Sequence, residues 1–157
     1  MKITLLTLGK TEEKYIKEGI EKYLKRLTHY IKFEAKEIPE LKNTKNLTQE
    51  QQKAKEAELI LKQINSTDFV VLLDEKGVQH TSVQFAEYIS KKMVGSVQTL
   101  VFIVGGPYGF DDSIYQKAHD KISLSKMTFS HQMVRLFFIE QVYRAFTILK
   151  GEPYHHE

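Results

Sequence analysis

Residues 99–109 read TLVFIVGGPYG, an uninterrupted apolar run that stops on two glycines. A continuous rather than alternating run is the signature of a central parallel strand covered by helices on both faces. Phe69–Asp74 (FVVLLD) has the same character. In open α/β sheets ligands bind at the carboxyl ends of the strands, so the turn Gly105-Gly106-Pro107-Tyr108-Gly109 falls where a site is expected. Glycine permits close approach of backbone to a ligand, and Pro107 stiffens the turn. The spacing is neither that of a dinucleotide fingerprint nor that of a Walker-type loop. By itself it leaves a plain tight turn and a ligand loop both open.

Outward from this stretch, strand-like and helix-like segments alternate. Lys2–Leu8 (KITLLTL) is a buried strand ended by Gly9. Thr11–Leu27 spaces Tyr15, Ile16, Ile20, Tyr23, Leu24 and Leu27 as an amphipathic helix, with Glu12 and Glu13 placed in its first turn. Ile31–Ile38 alternates apolar with charged residues and is a half-exposed strand closed by Pro39. Thr48 with Gln51, and Thr81 with Gln84, have the capping-box pattern and open two further helices. Asp111 or Asp112 caps a short helix, Lys121–Leu124 is a brief strand, and Ser130–Lys150 is a long final helix. The class is therefore α/β, with a mostly parallel sheet flanked by helices, and residues 1–157 read as a single domain.

Composition bounds the chemistry. The 157 residues contain no cysteine, which excludes disulfides, thiol nucleophiles and Cys-zinc sites together. No apolar run approaches the ~20 residues of a membrane span, so the expected location is cytoplasmic. Net charge is only +3. The bases concentrate late, however: between residues 117 and 150, Lys117, Lys121, Lys126, Arg135, Arg144 and Lys150 face only Asp120 and Glu140. Such a region attracts phosphate, and solvated surface charge accounts for it as well. Asp74 and Glu75 lack the His/Asp neighbours of a metal site, so they read as turn carboxylates and no metal is expected. His29, His80 and His119 read as surface or loop residues.

The final helix is more unusual. At 100° per residue His131, Gln132 and Arg135 share one face, whereas Glu140, Gln141, Arg144 and Thr147 lie on a nearly opposite one. A helix laid on one sheet keeps a single polar stripe. The change of side suggests passage into a second subunit; the alternative is a buried helix whose polar groups are satisfied within one chain.

Several segments together carry a resemblance over essentially the whole length: KITLLTLGK, EKYLKRL, IVGGPYG, SLSKMTFSHQMVR, EQVYRAF and the closing PYHHE. With these the chain resembles the RlmH (YbeA-type) branch of the SPOUT methyltransferases. The resemblance implies a C-terminal deep trefoil knot, which general topology rules would reject. It implies S-adenosyl-L-methionine as methyl donor, a homodimer whose pockets are bordered by the partner, and methylation of N3 of a pseudouridine in bacterial 23S ribosomal RNA, in the assembled ribosome. Related readings are a SPOUT enzyme acting on transfer RNA and a non-catalytic ribosome-binding factor.

Carried over residue by residue, the resemblance assigns cofactor contacts to Leu73, Gly105, Leu124, Ser125, Lys126, Met127, Thr128 and Phe129. It assigns Tyr154 and His155 to the base-binding side, with His155 as a proton acceptor. Arg135 is a candidate for substrate contact or for an ion pair with Glu140 across the dimer. Arg144 and His131 are candidates for RNA contact, and Tyr143 for the interface. Two positions depart from the pattern: His156 stands where relatives often carry Arg or Lys, and Ser130 replaces a frequent proline.

Overall fold

A computed structural model describes all residues, 1–157. Five strands, β1 (Lys2–Leu8), β2 (Lys32–Ile38), β3 (Phe69–Gln79), β4 (Thr99–Val104) and β5 (Asp120–Ser123), alternate with five helices. These are α1 (Lys14–Leu27), α2 (Gln49–Leu61), α3 (Ser82–Val94), α4 (Asp112–Lys117) and α5 (His131–Leu149). The strand order is β2-β1-β4-β3-β5, and every pairing is parallel. The apolar run of β4 lies at the centre of this sheet.

Its period-two geometry explains why it is apolar throughout. Leu100 and Phe102 point to one face, where with Leu5, Ile16, Phe85, Ile89, Phe138 and Val142 they pack under α1, α3 and α5. Val101 and Ile103 point to the other, where with Leu72, Ala57, Ile60 and Ile114 they pack under α2 and α4. Both sides of β4 are thus removed from water, which is the main source of stability for such a strand. Helix α5 lies between α1 and α3 on the first face. No helix is long and apolar enough to cross a membrane.

Local chemistry sets the boundaries. Both capping boxes form, with Thr48 accepting from Gln51 N–H and Thr81 from Gln84 N–H. Asp111 and Ser130 cap α4 and α5. Helix α1, however, begins at Lys14 and has no acidic residue in its first turn. Glu13 is its N-cap residue, while the N–H of Thr11 is drawn instead to the Glu37 carboxylate. Strand β3 also runs past Asp74 to Gln79, because after a register shift between Leu73 and Val78 it pairs again with β5. His119 stays at the surface, as expected, but has a structural task. Its Nδ1 accepts the Val70 N–H at 3.0 Å and its ring stacks on Phe69.

Candidate functional site

The carboxyl ends of β4, β3 and β5 are neighbours in the sheet, so the segments that follow them meet. They enclose a cavity of about 690 Å³. Its walls are Leu73 to Lys76 from β3, Val104 to Phe110 after β4, the loop after β5, and His131 and Val134 from the start of α5. The slack residues of the β3 register shift form one of these walls.

Of the expected cofactor contacts, Leu73, Gly105, Leu124, Ser125, Met127, Thr128 and Phe129 all line this cavity, and Lys126 does not. The loop after β5 is held by its own serines. Ser123 Oγ donates to the Ser125 carbonyl at 3.0 Å, and Ser125 Oγ accepts the Met127 N–H at 2.9 Å. Met127 and Phe129 remain exposed, so their apolar side chains are free to close over a ligand. Gly106 and Gly109 bridge to each other across the turn, whereas the N–H of Gly105 donates to no backbone acceptor and can read a polar edge. Apolar walls with a few convergent polar groups are the usual make-up of a small-molecule site, and the volume lies within its usual range.

Asp74 proves to be more than a turn carboxylate. It accepts the Lys76 N–H at 2.9 Å and a short hydrogen bond from the Tyr115 hydroxyl. Burial and the neighbouring carboxylate push the Tyr115 pKa up to about 12, so the phenol stays a neutral donor. Sequence reasoning missed Tyr115, because a single tyrosine beside Ile114 on a short helix looks like packing. No group of three His, Cys, Asp or Glu side chains is placed to hold a metal ion.

The C-terminal tail forms a second group. Tyr154 donates to Glu140 at 2.8 Å, its hydroxyl lies 3.2 Å from that of Tyr23, and its ring sits edge-on to Tyr143. Arg144 pairs with Glu140 at 2.6 Å and approaches His155 Nδ1 to 3.3 Å. Tyr30 anchors Glu152 at 2.5 Å. The tail is therefore docked rather than frayed. Neither Tyr154 nor His155 lines the 690 Å³ cavity of its own chain. Glu140, which holds Tyr154, lines an adjoining cavity of about 340 Å³ that shares Ser123, Leu124 and Phe129 with the larger one.

Arg135 belongs to neither group, and within its own chain it is engaged with backbone rather than with Glu140. It is 3% exposed. Its guanidinium donates to the carbonyls of Leu8 (2.8 Å), Gly9 (3.0 Å) and His131 (3.1 Å) and to Thr11 Oγ1 (3.0 Å), with Glu37 3.6 Å away. Four of its five N–H groups are engaged, tying α5 to the end of β1. Glu140 meanwhile pairs with Arg144 of the same chain, not with Arg135. Gln132 bonds Glu12 and Lys10, and Thr147 bonds the Arg144 carbonyl. The polar stripe changes side, but Gln132, Arg135, Glu140, Gln141, Arg144 and Thr147 all find partners within one chain. The stripe alone therefore requires no partner.

Comparisons with known proteins agree with this architecture. A family model described as "Predicted SPOUT methyltransferase" matches residues 1–155. The ribosomal RNA large subunit methyltransferase H of Parabacteroides distasonis is 60% identical over 157 residues, covering 100% of both chains. That of Christiangramia forsetii is 60% identical over 156 residues, covering 99% of each. Among solved structures, a probable methylase family protein from Haemophilus influenzae superposes with a TM-score of 0.51 at 12% identity. The match covers 99% of this chain and 70% of that one, and it bears on the fold alone. Strand order, strand-end cavity and full-length identity converge: the chain belongs to the SPOUT methyltransferases, within the ribosomal RNA large subunit methyltransferase H family.

Proposed function

We propose that this protein is an S-adenosyl-L-methionine-dependent methyltransferase that modifies N3 of a pseudouridine in bacterial 23S ribosomal RNA, in the cytoplasm. The observation that carries the reading is the convergence of Leu73, Gly105 and the loop after β5 on one cavity at the carboxyl ends of three adjacent strands. When bound, S-adenosyl-L-methionine supplies an electrophilic methyl group on a sulfonium, which the base nitrogen takes as the S–CH₃ bond breaks and the N3 proton leaves. The chain's residues orient and enclose. The backbone N–H of Gly105 fixes a polar edge, while Leu73, Leu124, Met127 and Phe129 supply apolar walls that exclude water. His155 is assigned as proton acceptor, an imidazole being suited to that task near neutral pH, and Tyr154 positions the base.

The active unit is proposed to be a homodimer in which the tail of each chain serves the cavity of the other. Two features support this. Tyr154 and His155 are held firmly but away from their own chain's cavity, and Phe129 and Phe137 stay about 40% exposed beside the tail-linked cavity. Arg144 and His131 are proposed to contact RNA. A C-terminal trefoil knot is part of the same reading. With a net charge of only +3 the protein has little general affinity for RNA, so its target is a shaped ribosome surface. Equal rates on a naked RNA hairpin and on assembled ribosomes would contradict that part. Calorimetric titration with S-adenosyl-L-methionine tests the core of the reading. Saturable binding is expected, and absence of binding overturns the enzyme.

A further inference from the structure

Behind the Gly105-Gly106-Pro107 turn, on the side away from the 690 Å³ cavity, lies a second cavity of about 420 Å³. Glu56 reaches into it from α2. It shares the buried side of that helix with Ala57 and Ile60 and is itself only 8% exposed. Its Oε1 has no hydrogen-bond partner. A buried carboxyl with an unanswered oxygen is costly. Its position is specific, however. A methyl group built on Gly106 would stand 2.5 Å from Glu56 Oε2 and 2.8 Å from Oε1. The carboxyl therefore rests directly against the backbone of the turn, with one residue's thickness between it and the donor cavity.

We infer that Glu56 is a positioning residue: its carboxyl backs Gly106 and sets how far the turn projects into the donor cavity, and so governs cofactor affinity without touching the cofactor. Burial pushes the Glu56 pKa up, opposed by a contact with Gln52 and reinforced by Glu40. That favours the protonated form, which can rest against backbone without the solvation a charge demands. The glycine at 106 and the acid at 56 are then one device. Only glycine leaves room for the carboxyl, and the carboxyl fills the space a side chain would have taken.

The inference rests on the reading of the cavity as a methyl-donor site, and its test separates the two. Glu56→Ala, Gly106→Ala and the double variant are titrated with S-adenosyl-L-methionine by calorimetry. Gly106→Ala alone brings a methyl to 2.5 Å from Glu56 Oε2, so the carboxyl and the turn can no longer both keep their places. Removing the carboxyl as well gives that methyl room. The effects on Kd are expected to be non-additive by about fivefold or more, with the double variant binding better than Gly106→Ala. Amide hydrogen exchange at residues 105–109 is measured in parallel on cofactor-free protein. It is expected to quicken in Glu56→Ala and stay near wild type in Glu56→Gln, which keeps the shape. Additive effects on Kd together with unchanged exchange overturn the inference. A merely structural glutamate would lower thermal stability in both Glu56 variants without coupling to Gly106. If wild-type protein binds no cofactor, the donor-site reading fails with its consequence for affinity, and exchange alone decides whether Glu56 positions the turn.

Discussion

Replacing Arg135 by methionine separates a structural arginine from a substrate-binding one. The side chain is nearly fully buried, and its removal leaves the carbonyls of Leu8 and Gly9 and the hydroxyl of Thr11 without their Arg135 donor. Leaving a buried acceptor without its donor typically costs about 1–3 kcal/mol, several are affected at once, and methionine recovers only part of the packing. For a chain of this length 1 kcal/mol lowers Tm by about 2–4 °C, so a fall of about 10 °C is expected. Circular dichroism melts at fixed protomer concentration measure it, since association also shifts Tm. Burial itself lowers the Arg135 pKa, with Glu37 opposing, as for a cation kept in place by its neighbours. A Tm change below about 3 °C accompanied by loss of methyl transfer would refute the structural assignment and restore Arg135 to the substrate side.

Gly105→Val places a Cβ 3.1 Å from the buried Phe110 ring. Overpacking of about 1–3 kcal/mol should weaken cofactor binding by roughly tenfold or more with the fold intact, as calorimetry beside a thermal melt would report; unchanged affinity would remove Gly105 from the site. Glu56 has a raised pKa through burial, so the folded state holds its proton more tightly than the unfolded state, and wild-type stability falls as pH rises above the ordinary glutamate value. The stability of Glu56→Gln relative to wild type, measured by urea unfolding, should therefore grow as pH rises above the ordinary glutamate value; a pH-independent difference would contradict it. Ser130→Ala removes the α5 cap and should cost about 1 kcal/mol in the same assay. Tyr154→Phe loses the bonds to Glu140 and Tyr23. It should free the tail to carboxypeptidase and slow methyl transfer while leaving cofactor affinity unchanged.

Legibility in the sequence differs from element to element. The central strands are plain, because a short continuous apolar run ended by glycine fits a strand covered on both faces, and the two capping boxes announce α2 and α3. The start of α1 is misjudged because Glu12 and Glu13 suit a first turn by charge, whereas Thr11 is held in the loop by Glu37, a contact 26 residues away. The same limit hides the role of Arg135: its partners Leu8, Gly9 and Thr11 lie more than 120 residues away along the chain and meet it only in three dimensions. Most of the cofactor wall follows from the family resemblance, and the sheet order explains why those loops meet. Tyr115 and Glu56 do not stand out in the sequence. One signal exists for Glu56: it sits four residues before Ile60, on the buried side of α2, where a charge is out of place.

The central claim is methyl transfer to ribosomal RNA. Its most direct test is incubation of the purified protein and S-adenosyl-L-methionine with ribosomes from a strain lacking the enzyme, followed by mass spectrometry of nucleosides from the 23S RNA. The account predicts a new methylated pseudouridine, carried on N3, that requires both protein and cofactor. Unchanged 23S nucleosides, or a methyl group found on transfer RNA instead, would contradict it.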